Sequence, residues 1–203
     1  VRAINDVGNG AYATTGPRAI ANAATLTYNG NSNTSGSVPV DSTTYFVGGS
    51  ATVLGNTGTL ERAGYTFAGW TDNTSGTGTV YAGGSNFTLA SATTNLYAKW
   101  NANSNTVTYS TQGGSTVSSV TWSTGASLTL PATPTRAGYT FNGWYDAATG
   151  GTRAGSASAT YSPTNTANFT LYAQWSANSN TVTFNTQGGP AVSSQTWTTA
   201  TTL

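Results

Sequence analysis

Apolar and polar residues alternate in short runs along this chain. Thr106-Val107-Thr108-Tyr109 has period two, as has Thr181-Val182-Thr183-Phe184, and both use strand-favouring residues. Gln112-Gly113-Gly114 supplies a turn after the first run, and residues 117–122 predict the returning strand of a hairpin. The run Leu128-Thr129-Leu130-Pro131 follows, then Pro134 and Gly138 as punctuation. Residues 139–144 alternate large and small, as a half-buried strand does. Residues 146–151 read as a turn-rich loop and 169–175 as a closing strand. No segment sustains a 3.6-residue apolar period, so at most one short helix fits per unit, within 123–130 or 147–166.

This pattern repeats. RAGYTF at residues 62–67 returns at 136–141, 74 residues on; LYAKW at 96–100 returns as LYAQW at 171–175, 75 on. TVTYSTQGG at 106–114 returns as TVTFNTQGG at 181–189, and Trp122 and Trp197 keep the same interval. Several strings on one period define a tandem array. A short ANSN string at 102–105 and 177–180 reads as a linker of about five residues. The expected organisation is a non-repeat segment 1–23, unit one over 24–101, unit two over 102–176, and over 177–203 the first hairpin of a third unit. Unit one opens on the strand 25–28 and carries a longer first hairpin loop, with Tyr45 and Phe46 near the place of Trp122. In the non-repeat segment, residues 11–21 suggest an extended stretch.

Composition narrows the class. Only 5% of the 203 residues are charged, yet 11% are aromatic, more apolar payload than a solvated coil carries. The net charge is +1 with scattered basic residues, so neither nucleic acid nor an anionic membrane is an expected partner. Cys and His are absent, which excludes the common zinc sites and His- or Cys-based catalysis. No run reaches the ~20 apolar residues of a helical membrane span, and no signal-peptide core is present. The chain opens on Val1 rather than Met, so an export signal can have been lost by processing or cropping.

The succession TVTFNTQGG, PTRAGYTFNGWYD (134–146) and LYAQW resembles the Listeria–Bacteroides repeat, the family of the internalin B-repeats. The resemblance covers units one and two and the first third of unit three; unit one departs from it at GTLERAGYTFAGWTD (58–72). It implies mainly β architecture, small β-grasp-like units of about 75 residues, strung on exported bacterial proteins as spacers or adhesive modules. It implies no catalytic residue.

The aromatics Tyr65, Phe67, Trp70, Trp100, Tyr109, Trp122, Tyr139, Phe141, Trp144 and Trp175 are the expected structural core. The alternative is a platform on which sugars stack, which needs Trp70 and Trp144 exposed. Asp72 and Asp146 occupy equivalent places in different units, so they cannot meet as the carboxylate pair of a hydrolase and are read as turn caps. The remaining acids are too dispersed for a calcium site, and no metal or cofactor is expected. Arg62 and Arg136 each precede Ala-Gly-Tyr and are expected to pack over an aromatic ring or beside a carboxylate. Glycosylation sequons stand at Asn33, Asn73, Asn86 and Asn168.

In the third unit, Val182, Phe184, Val192 and Trp197 form a hairpin with nothing in this chain to cover it. Either the chain is a window on a longer array, or a strand from another copy completes the hairpin head-to-tail. The function expected is that of a stalk, spacer or fibre subunit outside a bacterial cell, with a glycan- or host-protein-binding module as the alternative. Expected partners are neighbouring repeats, other copies of the chain, or such a ligand.

Overall fold

The computed structural model describes residues 22–199. The extended stretch expected over 11–21 lies outside them. Unit one has six strands: β1 (Ala23–Asn29), β2 (Tyr45–Phe46), β3 (Ser50–Thr52), β4 (Tyr65–Thr71), β5 (Asn86–Thr88) and β6 (Thr93–Ala102). Unit two repeats them as β7 (Ser104–Ser110), β8 (Val120–Ser123), β9 (Leu128–Thr129), β10 (Tyr139–Tyr145), β12 (Thr160–Tyr161) and β13 (Phe169–Ala177), adding β11 (Arg153–Gly155). The third unit supplies β14 (Ser179–Val182) and β15 (Gln195–Thr198).

The sheet orders are β2-β1-β6-β4 and β8-β7-β13-β10-β11. In each, the first and last long strands of the unit lie parallel at the centre, with antiparallel neighbours outside. This is a β-grasp-like sheet whose crossover contains a two-stranded ribbon, β3–β5 or β9–β12. The short helix allowed over 123–130 or 147–166 does not form; turns and strands occupy both stretches. The reason is local. Gly125, Gly150 and Gly151 have positive φ, and the Trp122 indole donates to Ala126 O at 2.7 Å, closing the first stretch as a turn. The returning strand of the hairpin begins at Val120, three residues later than the sequence pattern suggested.

Each unit has its own core. Trp70, Leu26, Leu96 and Leu89 are fully buried in unit one, and Trp144, Val107 and Leu171 in unit two. The aromatic rings form the same T-shaped series twice: Tyr28–Trp70–Phe67–Trp100 with centroid spacings of 4.7, 5.2 and 5.6 Å, and Tyr109–Trp144–Phe141–Trp175 with 5.0, 5.5 and 5.3 Å. Edge-to-face pairs of this kind add about 0.5–1.5 kcal/mol each beyond the area they bury. Simple alternation would put Trp70 and Trp144 on the opposite face from Phe67 and Phe141. A β-bulge at Ala68 and at Asn142 inserts one residue into β4 and β10 and turns the indoles inward.

The two cores differ at one peptide. In unit one, Leu54 N donates to Tyr28 Oη at 2.7 Å, and Trp70 Nε1 donates to Leu54 O at 2.9 Å. Unit two has Pro131 at that place, which has no N–H, and Pro131 O accepts instead from Ser158 N. Tyr109 Oη and Trp144 Nε1 are consequently buried without a hydrogen-bond partner. Tyr28→Phe should therefore cost about 1–2 kcal/mol by stripping Leu54 N–H of its acceptor, whereas Tyr109→Phe should be neutral or stabilising by up to ~1 kcal/mol. Urea titration of the two variants checks this contrast. The third unit already carries Phe184 at the position of Tyr109.

Burial raises the phenol pKa of Tyr28, Tyr109 and Tyr161 above the ordinary value. The folded chain then holds these protons at pH values where the unfolded chain loses them. Their contribution is complete below about pH 10 and is lost as pH rises further. With no His or Cys in the chain, stability measured by thermal melts should be nearly flat from about pH 6 to 9 and fall steeply above about pH 10.

Candidate functional site: the joint between units

The ANSN string is not a linker. Ala102 is the last residue of β6 and Ser104 the first of β7, so Asn103 alone separates the two units; Asn178 alone separates β13 from β14. Alternating polar residues mimic a solvated tether here, but their backbone continues the sheets. The linker of about five residues is corrected to one.

Asn103 is held from both sides. Its N–H donates to Gly64 O of unit one at 2.9 Å, and its carbonyl accepts from Thr124 N of unit two at 3.1 Å. Its side-chain Oδ1 accepts from Thr66 Oγ1 at 2.7 Å. Asn105 Nδ2 reaches Asn103 O at 3.3 Å and Thr124 Oγ1 at 3.0 Å, and Tyr65 Oη donates across the joint to Thr124 O at 3.3 Å. The second joint repeats most of this. Asn178 N donates to Gly138 O at 2.8 Å, Thr199 N donates to Asn178 O at 3.0 Å, and Thr140 Oγ1 donates to Asn178 Oδ1 at 2.7 Å. Asn180 Nδ2 again reaches back to Asn178 O, at 3.3 Å.

The RAGY string builds the other half of the joint. Tyr65 N donates to Arg62 O at 2.9 Å, and Tyr139 N to Arg136 O at 3.1 Å, closing a four-residue turn. Gly64 and Gly138 hold its third position at φ 78° and 77°, the left-handed conformation that a type II turn requires there. The same glycines admit the next unit. A Cβ on Gly64 would lie 2.6 Å from Thr124 Cγ2, and one on Gly138 2.6 Å from Thr199 Cγ2.

Among the expected core residues, Trp70, Tyr109, Trp122 and Trp144 are buried, and Phe67, Trp100, Phe141 and Trp175 pack half-buried against them. Tyr65 and Tyr139 are corrections: neither joins a core cluster. They share the parity of Phe67 and Phe141 but stand at the strand ends, where Tyr65 pairs with Ala102 and Tyr139 with Ala177 at the joints. Arg62 and Arg136 lie over these rings at 4.1 and 3.8 Å. Asp146 Oδ1 accepts from Thr152 N at 2.6 Å and caps its turn, while Asp72 Oδ1 accepts from the Asn73 side chain. In the third hairpin Val182 and Trp197 are half-buried, and Phe184 and Val192 are exposed. Strand β14 stops at Val182, whereas β7 continues to Ser110 because it pairs in parallel with β13.

Asn103, Thr124 and Gly64 were absent from the expected functional residues. The signal for them was the recurrence of ANSN and RAGY on the repeat period, which marks positions used at every joint.

The Listeria-Bacteroides repeat domain family matches residues 25–99 and 106–174. A protein of Evansella cellulosilytica described as a Gly-rich membrane protein is 33% identical over 82% of this chain and 18% of its own length. Internalin H of Listeria monocytogenes is 41% identical over 59% of this chain and 20% of its own length. The chain thus spans about a fifth of the length of the curated relatives it matches. The matched segments coincide with the two repeated sheets, and the chain belongs to the Listeria-Bacteroides repeat domain family.

Proposed function

We propose that this chain is a spacer segment of an exported bacterial surface protein, without catalytic activity, that holds what it carries at a fixed distance and orientation from the cell. The one-residue joint carries this reading. A flexible tether leaves its peptide groups to water, whereas Asn103 commits its N–H, its carbonyl and its side chain to the two units it joins. The likeness to an internalin and to membrane proteins supports placement at the cell surface. The full burial of Trp70 and Trp144 weighs against the sugar platform built on those two indoles.

The absence of cysteine makes the test direct. Thr88→Cys in β5 and Thr160→Cys in β12, both exposed, place one spin label on each unit. The expected result is a single narrow inter-label distance distribution, broadened by Gly64→Ala, which drives a Cβ into Thr124. A wild-type distribution as broad as that of a variant with Gly-Ser-Gly inserted after Asn103 sinks the reading.

The exposed Phe184 and Val192 favour a second reading, head-to-tail strand addition between copies. Light scattering across a concentration series tests it: growth with concentration supports assembly, and a monomer at every concentration overturns it.

A further inference from the structure

Each unit carries a cleft at the same place. In unit one a cavity of about 520 Å³ is lined by Asn31, Ser32, Arg62, Thr74, Lys99 and Trp100, among others. In unit two a cavity of about 440 Å³ is lined by Gln112, Arg136, Thr149, Gln174 and Trp175, among others. Arg62 answers to Arg136, Trp100 to Trp175 and Lys99 to Gln174 by position in the repeat. Asn31 and Gln112 hold corresponding places in the loops that follow β1 and β7, both in left-handed backbone at φ 46° and 50°. Behind them the indoles are fixed: Trp100 Nε1 donates to Gly30 O and Asn31 O, each at 3.0 Å, and Trp175 Nε1 to Thr111 O at 2.9 Å.

Lys99 and Gln174 perform one structural task. Lys99 Nζ donates to Gly76 O at 2.8 Å; Gln174 Nε2 donates to Ala147 O at 3.0 Å and Gly150 O at 2.6 Å. Each ties the loop after the bulged strand to the sheet, so the staple alone does not call for a charge. What distinguishes unit one is that the staple is a cation lining the same cleft as Arg62, with no carboxylate in that lining and with Ser32, Thr74, Ser75, Asn31 and Asn101 around it. Of the six basic residues in a chain that is only 5% charged, two line this cleft.

We propose that the unit-one cleft binds an anionic glycan, its sulfate or phosphate ester held between Arg62 and Lys99 and its sugar hydroxyls by the surrounding amides and hydroxyls. A guanidinium offers paired N–H donors to such an ester, and an ammonium adds a point charge. Trp100 borders the cleft, but the accessible lining is almost wholly polar, which suits an ester and sugar hydroxyls rather than stacking of a ring. The unit-two cleft has the same frame with a single cation, Arg136, and holds the ligand more weakly. A longer array with both kinds of unit gains by avidity along one polymer. This inference does not rest on the spacer reading, since a rigid array that binds no glycan remains a spacer.

The test is titration calorimetry on the whole chain at low ionic strength. The probes are a heparin-derived hexasaccharide as sulfate ester, an oligo(glycerol phosphate) as phosphate ester, cellohexaose as neutral control and inorganic sulfate. At least one of the two esters should bind at one site per chain, and the pattern between them identifies the source of the anion. Lys99→Gln keeps the loop staple in the form unit two uses, so the melting temperature should hold while affinity falls roughly tenfold, as loss of one charge-assisted contact implies. Gln174→Lys should raise the stoichiometry from one to two. Three results overturn the proposal: no binding of either ester, inorganic sulfate binding as tightly as the hexasaccharide, or Arg153→Gln, outside both clefts, weakening binding as much as Lys99→Gln does.

Discussion

Trp70→Ala should unfold unit one while unit two keeps its sheet. The indole is fully buried, stacks edge-on against Tyr28 and Phe67, and holds Leu54 O through its N–H. Removing a buried tryptophan costs about 3–5 kcal/mol. A 75-residue unit has a total stability of roughly 4–11 kcal/mol, so the loss takes a large share of it. Unit two has a separate core around Trp144, and its unfolding should remain a distinct transition. Calorimetry should resolve the variant into an early and a late transition, with the dispersed methyl signals of Val107 and Leu171 surviving the first. A single cooperative loss of both units would mean that the joint couples them more strongly than their cores hold separately.

The second large effect belongs to a glycine. Gly143 sits at φ 138° beside the bulge in β10, and a Cβ there would lie 2.8 Å from Gly155 O and 2.6 Å from Arg153 Nε. Gly69 repeats the arrangement at φ 123°, with Tyr81 O at 2.9 Å. The Arg153 side chain can move aside, but the Gly155 carbonyl belongs to the neighbouring strand β11. Gly143→Ala combines backbone strain with overpacking and should cost on the order of 3 kcal/mol. Because the bulge turns Trp144 inward, the variant should also redden the tryptophan emission as that indole gains access to water. Chemical denaturation followed by fluorescence checks both effects, and a variant as stable as the parent would show that the bulge has another solution.

Much of the fold was legible in the sequence, and the misses have identifiable causes. Short alternating runs gave the long strands, and the repeat gave two equivalent sheets. Alternation fails where a bulge intervenes, and the Gly–Trp pairs at 69–70 and 143–144 are the visible trace of it. Tyr65 and Tyr139 look like core residues because they share the parity of Phe67 and Phe141, but parity says nothing about where along a strand the core ends. The joint was hidden by composition. Ala-Asn-Ser-Asn has the polarity of a tether, and only the carbonyls of Gly64 and Gly138, supplied from 39 and 40 residues upstream of Asn103 and Asn178, show that its backbone is engaged. The clefts were hidden by sequence distance: Arg62 and Lys99 stand far apart in the chain and line one cleft only because β6 lies beside β4.

The central claim is that one asparagine makes two small units behave as one body. Residual dipolar couplings in a weakly aligning medium test it most directly, because each unit reports its own alignment tensor. The account predicts tensors of the same orientation and magnitude for residues 23–102 and 104–177. Tensors that differ in magnitude or axis, as two units moving independently produce, would contradict it.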